Sequence, residues 1–156
     1  MDWCGDGAAI RWSGTSVGYY YPATWSAATR AAIDNAVFEF NKADFDYFRT
    51  SSSAPVQWLD LGSSDTSVAG ATYLSVNCST HRIAVASLYF NFPHFTASSH
   101  PAARRQCTAI HEMGHGVGFD HNTLTSILYI DHRQRCHSWT ITTLRSHDVS
   151  DINTRY

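Results

Sequence analysis

Residues 111–121 read HEMGHGVGFDH, and this stretch decides the fold and chemistry of the chain more than any other. His111 and His115 are four residues apart, so on a helix their side chains lie on one face, about one turn from each other. Gly118 can adopt a positive φ, which lets the helix end and the chain swing His121 back as a third nitrogen ligand. Three protein ligands leave one coordination position open for water. This is the arrangement of a catalytic zinc rather than a structural one.

The stretch resembles the HExxHxxGxxH motif of the metzincin metallopeptidases. The motif is matched in full, by His111, Glu112, His115, Gly118 and His121. The resemblance implies a secreted zinc endopeptidase, with zinc held by the three histidines and Glu112 acting as the general base toward water. Some small bacterial relatives use aspartate as the third ligand, so Asp120 is an alternative to His121. The spacing of the motif favours the histidine.

The resemblance extends beyond the motif and is closest to the matrixin-like branch. Residues 126–129 (SILY) match the tight turn that follows the motif in that branch, with Leu128 in place of the family's methionine. Residues 144–152 (LRSHDVSDI) resemble the start of the matrixin C-terminal helix, and Asp148 matches the second of its two acidic residues. Asn122, directly after the third histidine, matches the marker residue of neither the astacin, serralysin, matrixin nor adamalysin branch.

The same resemblance assigns roles to the segment after the turn. Ile130 occupies the position at which astacins and serralysins carry a tyrosine that reaches the zinc, so Tyr129 is expected to pack in the turn instead. Residues 130–137 should form the far wall of the cleft, where Arg133 and Arg135 would favour polar or acidic substrate residues. A calcium requirement stays open.

Outside the motif, the apolar pattern predicts an α+β fold. The predicted strands are 9–21, 45–50, 55–61, 69–76 and 82–92, the last apolar on both faces like a central strand; the predicted helices are 26–42 and 101–116, the second beginning after Ser99 or His100. The resemblance implies a twisted, mixed five-stranded sheet over the active-site helix, with a C-terminal helix. It also makes 69–76 the antiparallel edge strand beside the cleft, where an extended peptide can add as another strand.

Length and composition are those of one globular domain spanning 1–156. The net charge of -2 does not favour electrostatic binding to nucleic acid or to an anionic membrane. No apolar stretch approaches the length of a membrane span, and residues 1–10 do not form a signal peptide. We expect a mature, monomeric catalytic domain that acts on protein or peptide substrates.

The four cysteines, Cys4, Cys78, Cys107 and Cys136, show no CxxC spacing, so a closed zinc–cysteine site is not indicated. Two disulfides fit better, and they imply an oxidising compartment. Three pairings are possible. We favour Cys4–Cys78 with Cys107–Cys136, because the second bond would tie the motif helix to the segment after the turn. Four reduced, buried cysteines in a cytosolic protein are the alternative.

A different class of function is also open. The chain could be a zinc-containing binding module that has lost catalysis, and Leu128 is the feature in its favour. Against it stands Glu112, which an inactive protein would be free to lose. Residues 3–6 (WCGD) can also be interpreted as a remnant of the cysteine switch that blocks metzincin zymogens, although a disulfide at Cys4 is the simpler explanation.

Overall fold

The computed structural model of the chain describes residues 3–96, 102–131 and 133–156. Its strands are β1 Ser16–Tyr20, β2 Asp46–Arg49, β3 Val56–Asp60, β4 Gly70–Asn77 and β5 Arg82–Phe90. Its helices are α1 Ala27–Phe40, α2 Phe92–Thr96, α3 Ala102–Gly116 and α4 Ser146–Arg155, and a π-helical segment spans Arg133–Ser138. The predicted start of α3 at Pro101, after Ser99 or His100, lies outside the described residues.

The strands form one five-stranded mixed sheet in the order β2-β1-β3-β5-β4. Strands β2, β1, β3 and β5 pair in parallel, while β4 pairs antiparallel with β5 at the sheet edge. The expected α+β fold with an antiparallel edge strand is therefore confirmed. Helices α1 and α3 pack against each other, and α3 also packs against β4 and β5, so the edge strand lies directly beside the motif helix.

Helix α1 has the amphipathic pattern that predicted it. Ser26 caps it, its side chain accepting a hydrogen bond from the backbone N–H of Thr29 at 3.2 Å. Ile33, Ala36 and Phe40 recur at helical spacing and are fully buried against the rest of the core. The helix ends at Phe40, two residues before the predicted end.

Two disulfides fasten segments that lie far apart in sequence. Cys4 is bonded to Cys78, just beyond the end of β4, and Cys107 in α3 is bonded to Cys136 in the π-helical segment, with Cα–Cα distances of 5.4 and 5.6 Å. The favoured pairing is confirmed. No helix among the described residues is both long enough and apolar enough to cross a membrane.

Two predicted strands differ from the structure. Of residues 9–21, only Ser16–Tyr20 is a strand; Arg11 forms an isolated bridge with Arg82, and a bend at 13–15 separates the two parts. The prediction failed there because the backbone groups of Trp12 bond to side chains instead of to a neighbouring strand: its N–H donates to the Tyr156 hydroxyl at 3.2 Å and its carbonyl accepts from Arg82 Nη1 at 2.8 Å.

Strand β5 lies inside the sheet as expected, but its two faces are not continuously apolar. It ends at Phe90, because α2 begins at Phe92 with Pro93 as its second residue. A register shift pairs Ser75 with Val85 and Val76 with Ile83, skipping Ala84. This bulge turns Val85 outward, where it is 41% exposed, although the sequence predicted a strand that is apolar on both faces.

Candidate metal centre

The three motif histidines meet at one point. Helix α3 presents His111 and His115 from successive turns, and the segment after the helix returns His121 to the same place. The Nε2 atom of His115 lies 3.1 Å from those of His111 and His121, and the latter two are 3.3 Å apart. Within the described part of the chain, this trio is the group of His, Cys, Asp or Glu side chains that could hold a metal ion.

The triangle of nitrogens fits a tetrahedral metal ion. Zinc–nitrogen bonds of about 2.0–2.1 Å at tetrahedral angles place the ligand atoms roughly 3.3–3.4 Å apart. The protonation of the rings also fits. The Nδ1 atom of His111 donates to the Ile127 carbonyl at 2.7 Å, and that of His115 donates to the Phe119 carbonyl at 2.8 Å. Because a carbonyl can only accept, each Nδ1 carries the proton and each Nε2 lone pair is free for a metal.

Gly118 makes the return of His121 possible. Its φ is +88°, and its N–H donates to the His115 carbonyl at 2.8 Å, which ends the helix as the sequence predicts. A Cβ at this position would lie 2.6 Å from the Ile10 carbonyl oxygen. Asp120, the alternative ligand, is exposed, and its Oδ1 accepts from the backbone N–H of His121 at 2.7 Å. It lies at the rim of the site and stands outside the nitrogen triangle.

Glu112 is buried beside the histidines, with 4% of its surface exposed. Its Oε2 accepts a hydrogen bond from Thr72 Oγ1 of β4 at 2.8 Å. The other oxygen faces Gly70, where a Cβ would lie 2.8 Å from Oε1. Burial raises the pKa of Glu112 to about 7, against the opposing effects of the Thr72 hydrogen bond and the Arg135 charge. A carboxylate with such a pKa can both take and return a proton near neutral pH.

Burial also keeps the histidines neutral. It is the main cause of the lowered pKa of His111, His115 and His121, and the charge of Arg135 lowers all three further; the pKa of His115 falls to about 4. Neutral imidazoles are the form that binds metal. The Arg135 guanidinium is buried, with 2% of the residue exposed, and donates to the Tyr129 carbonyl. It does not face water, and its burial was not expected from the sequence.

The turn after the motif is organised by Asn122, the residue that matches no branch marker. Its Oδ1 accepts from the N–H of Leu124 at 3.1 Å and from the Ser126 hydroxyl at 2.9 Å, and its own N–H donates to the Leu128 carbonyl at 3.0 Å. Leu128 is 5% exposed and packs so closely on Gly114 that a Cβ there would lie 2.8 Å from its Cδ2.

Tyr129 and Asp148, two further residues singled out by the resemblance, also lie in this region. Tyr129 packs in the turn, its ring centroid 4.7 Å from that of Trp139. Asp148 is buried in the first turn of α4 and accepts from the Arg145 N–H at 2.8 Å.

A cavity of about 170 Å³ opens at the centre, between α3 and β4. Trp3, Gly70 and Thr72 line it together with the histidines. The strand that carries Gly70 and Thr72 was predicted to border the cleft, whereas Trp3 was not predicted to line it. The favoured Cys4–Cys78 bond was a signal for Trp3, since it ties the residue after Trp3 to the end of the edge strand. A larger cleft of about 710 Å³ lies elsewhere, lined by Arg11, Arg82 and Arg155, and the histidine trio has no part in it.

Comparisons with known proteins add a distant likeness of fold. No model of a protein family matches the chain, and no curated protein matches its sequence. A structure of myroilysin is similar at 14% sequence identity and a TM-score of 0.49, covering 72% of this chain and 52% of that one. A crystal structure of myroilysin gives 14% and 0.48, covering 90% and 72%. The chain spans about half the length of the first.

Proposed function

We propose that this protein is a secreted zinc endopeptidase of the metzincin type, nearest to the matrixin-like branch. His111, His115 and His121 are the proposed metal ligands and Glu112 the proposed general base. The observation that carries the proposal is the triangle of three Nε2 atoms, 3.1–3.3 Å apart, beside a buried carboxylate whose pKa lies near 7.

When bound by the three imidazoles, zinc supplies a Lewis acid that activates water and polarises a carbonyl group. The chain's own residues do the rest. Glu112 is the neighbour of the ligand His111 and does not itself ligate the metal. It takes the proton of the attacking water and returns it to the leaving amine. The Thr72 hydroxyl holds one carboxylate oxygen at 2.8 Å, so we assign the proton transfer to the other oxygen, which faces Gly70 at the wall of the cavity.

An extended peptide is the substrate that the edge strand favours. Strand β4 pairs with β5 on one side, and its other side offers backbone groups to which a peptide can add as a further strand. Thr72 belongs to β4 and contacts Glu112, so a peptide added there would run past the proposed base. Trp3 would form part of the wall above it.

Secretion is proposed because the two disulfides are stable in an oxidising compartment. A single domain and a monomeric state remain predictions from the sequence.

The test is metal analysis combined with hydrolysis of a general protein substrate, with and without a zinc chelator. We expect one zinc per chain, and activity that the chelator removes and added zinc restores. Glu112→Gln should keep the zinc and lose about 10²-fold or more in turnover. His115→Ala should lose metal and activity together. Asp120→Asn is the matched control beside the site, expected to keep both; loss of zinc in this variant would make Asp120 the third ligand.

The alternative, a zinc-containing module without catalysis, predicts a different result. The parent would bind zinc and show no turnover beyond that of Glu112→Gln. Leu128 gives this alternative no support, because its side chain is buried in close contact with Gly114.

A further inference from the structure

The backbone carbonyls at the end of α3 have an unusual set of partners. Carbonyls in the last turn of a helix lack intrahelical donors and need others when they are buried. Here the first three are bonded by the backbone as the helix closes: Val117 N–H to Met113, Phe119 N–H to Gly114 and Gly118 N–H to His115, at 3.1, 3.2 and 2.8 Å. The carbonyls that follow are bonded by side chains.

Those side chains come from both ends of the described chain. The Trp12 indole donates to the Gly116 carbonyl at 2.9 Å. The Tyr156 hydroxyl donates to the Val117 carbonyl at 2.9 Å and accepts from the Trp12 N–H at 3.2 Å. Arg155 Nη1 donates to the Gly118 carbonyl at 2.6 Å. The turn between the second and third histidines is thus held by residues that are distant in sequence, Trp12 at 104 positions before its partner and Arg155 and Tyr156 at 37 and 39 positions after theirs.

Arg155 contacts two consecutive residues of this turn. Its guanidinium carbon lies 3.9 Å from the centre of the Phe119 ring, while one nitrogen bonds to Gly118. The Phe119 carbonyl in turn accepts from Nδ1 of His115 at 2.8 Å. A planar guanidinium can stack on a ring and donate in its own plane at the same time. Arg155 therefore holds the carbonyl of Gly118 and the side chain of the next residue, Phe119.

We propose that Arg155 is a positioning residue for the metal centre. By holding Gly118 and Phe119, it orients the carbonyl that orients His115 and sets the path of the chain to His121. The proposal rests on the metal centre of the proposed function. Its physical basis is preorganisation: without these contacts, part of the metal's binding free energy is spent on ordering the turn.

The experiment measures Zn²⁺ and Co²⁺ affinity by competition with a chelating dye, together with the visible absorption spectrum of the Co²⁺ form. We expect Arg155→Met to bind both ions about 10- to 100-fold more weakly, the range typical of residues that orient metal ligands. Its Co²⁺ spectrum should also change, because the ligand geometry does. Arg155→Lys keeps the charge but not the planar stack, so we expect about threefold weaker binding and partial recovery of the spectrum.

The control is Arg49→Met. Arg49 also stacks on an aromatic ring, 4.1 Å from the centre of Tyr21, but it lies on β2, away from the turn. Its metal affinity and Co²⁺ spectrum should match those of the parent. Thermal unfolding of each metal-free variant separates loss of fold from loss of positioning.

Affinities within twofold of the parent and an unchanged spectrum for Arg155→Met would overturn the proposal. If that variant does not fold, the same result for Arg155→Lys would overturn it. An equal loss of affinity in Arg49→Met would also do so, since the effect would then be general. Because the readout is metal binding, a parent that binds zinc without hydrolysing peptides contradicts the proposed activity and not the role of Arg155. A parent that takes up neither ion overturns both.

Discussion

The metal-free protein should become more stable when Glu112 is replaced by glutamine, and the gain should grow with pH. Glu112 is buried, and burial raises its pKa from 4.5 to about 7. Between these values the folded protein keeps the proton while the unfolded chain has lost it. The free energy of unfolding therefore falls as pH rises through this window. Glutamine accepts the Thr72 hydrogen bond equally well and has no proton to lose.

The size of the effect follows from the shift. A pKa change of 2.5 units, at about 1.36 kcal/mol per unit, corresponds to roughly 3 kcal/mol. The difference in unfolding free energy between Glu112→Gln and the parent should thus increase by about 3 kcal/mol from pH 4.5 to pH 8. The histidines titrate in both proteins, and their contribution, a loss of stability as pH falls below about 6.5, cancels in this difference.

The assay is urea unfolding of both proteins with a metal chelator present, at several pH values and with the disulfides intact. The control is Asp44→Asn, an exchange of the same chemistry at an exposed position, unfolded under the same conditions. If the difference in unfolding free energy between Glu112→Gln and the parent stays constant from pH 4.5 to 8, the reasoning is refuted, because burial then does not raise the pKa of the Glu112 carboxylate.

Three further predictions concern the surroundings of the site. Leu128→Met is a volume-conserving exchange that should cost less than about 1.5 kcal/mol and leave hydrolytic activity within a few fold; a gain of several orders of magnitude would show that the native turn is defective. Replacing Cys107 and Cys136 together by alanine should cost about 3.5 kcal/mol in urea unfolding, from the entropy of a loop of 29 residues, and unchanged stability would contradict this. Gly70→Ala places a Cβ 2.7 Å from a neighbouring backbone oxygen and 2.8 Å from the carboxylate of the proposed base, so activity and stability should both fall. Its control is Gly14→Ala, because a Cβ at Gly14 has nothing within 4 Å. Equal effects of the two substitutions would rule out the steric argument.

The sequence predicted those parts of the centre that depend on local geometry. Helical spacing places His111 and His115 on one face, and a positive φ at Gly118 brings back His121; both follow from residues within one stretch. Alternation and amphipathic spacing likewise predicted β2, β3, β4 and the core of α1. The favoured pairing of the cysteines rested on the argument that a Cys107–Cys136 bond ties the motif helix to the segment after the turn.

Contacts between distant segments could not be predicted in the same way. Thr72 and Glu112 are 40 residues apart, and nothing in either neighbourhood indicates their hydrogen bond. The bulge that turns Val85 outward depends on how two strands register against each other. Arg135 resembles a surface residue by its type, and its burial depends on how the segment between the turn and α4 folds back on α3. In each case the missing information is the tertiary packing, which a single sequence does not contain.

The position of Trp3 has a practical consequence for how the protein is prepared. Cys4 is fixed to Cys78, and Trp3 lines the cavity in which the three histidines meet. An affinity tag inserted directly before Trp3 would therefore begin beside that cavity. Tag histidines would then compete for the open position of the proposed metal centre, and a purified sample would look inactive although the proposed catalytic groups were intact. A cleavable tag, removed before any assay, avoids this artefact.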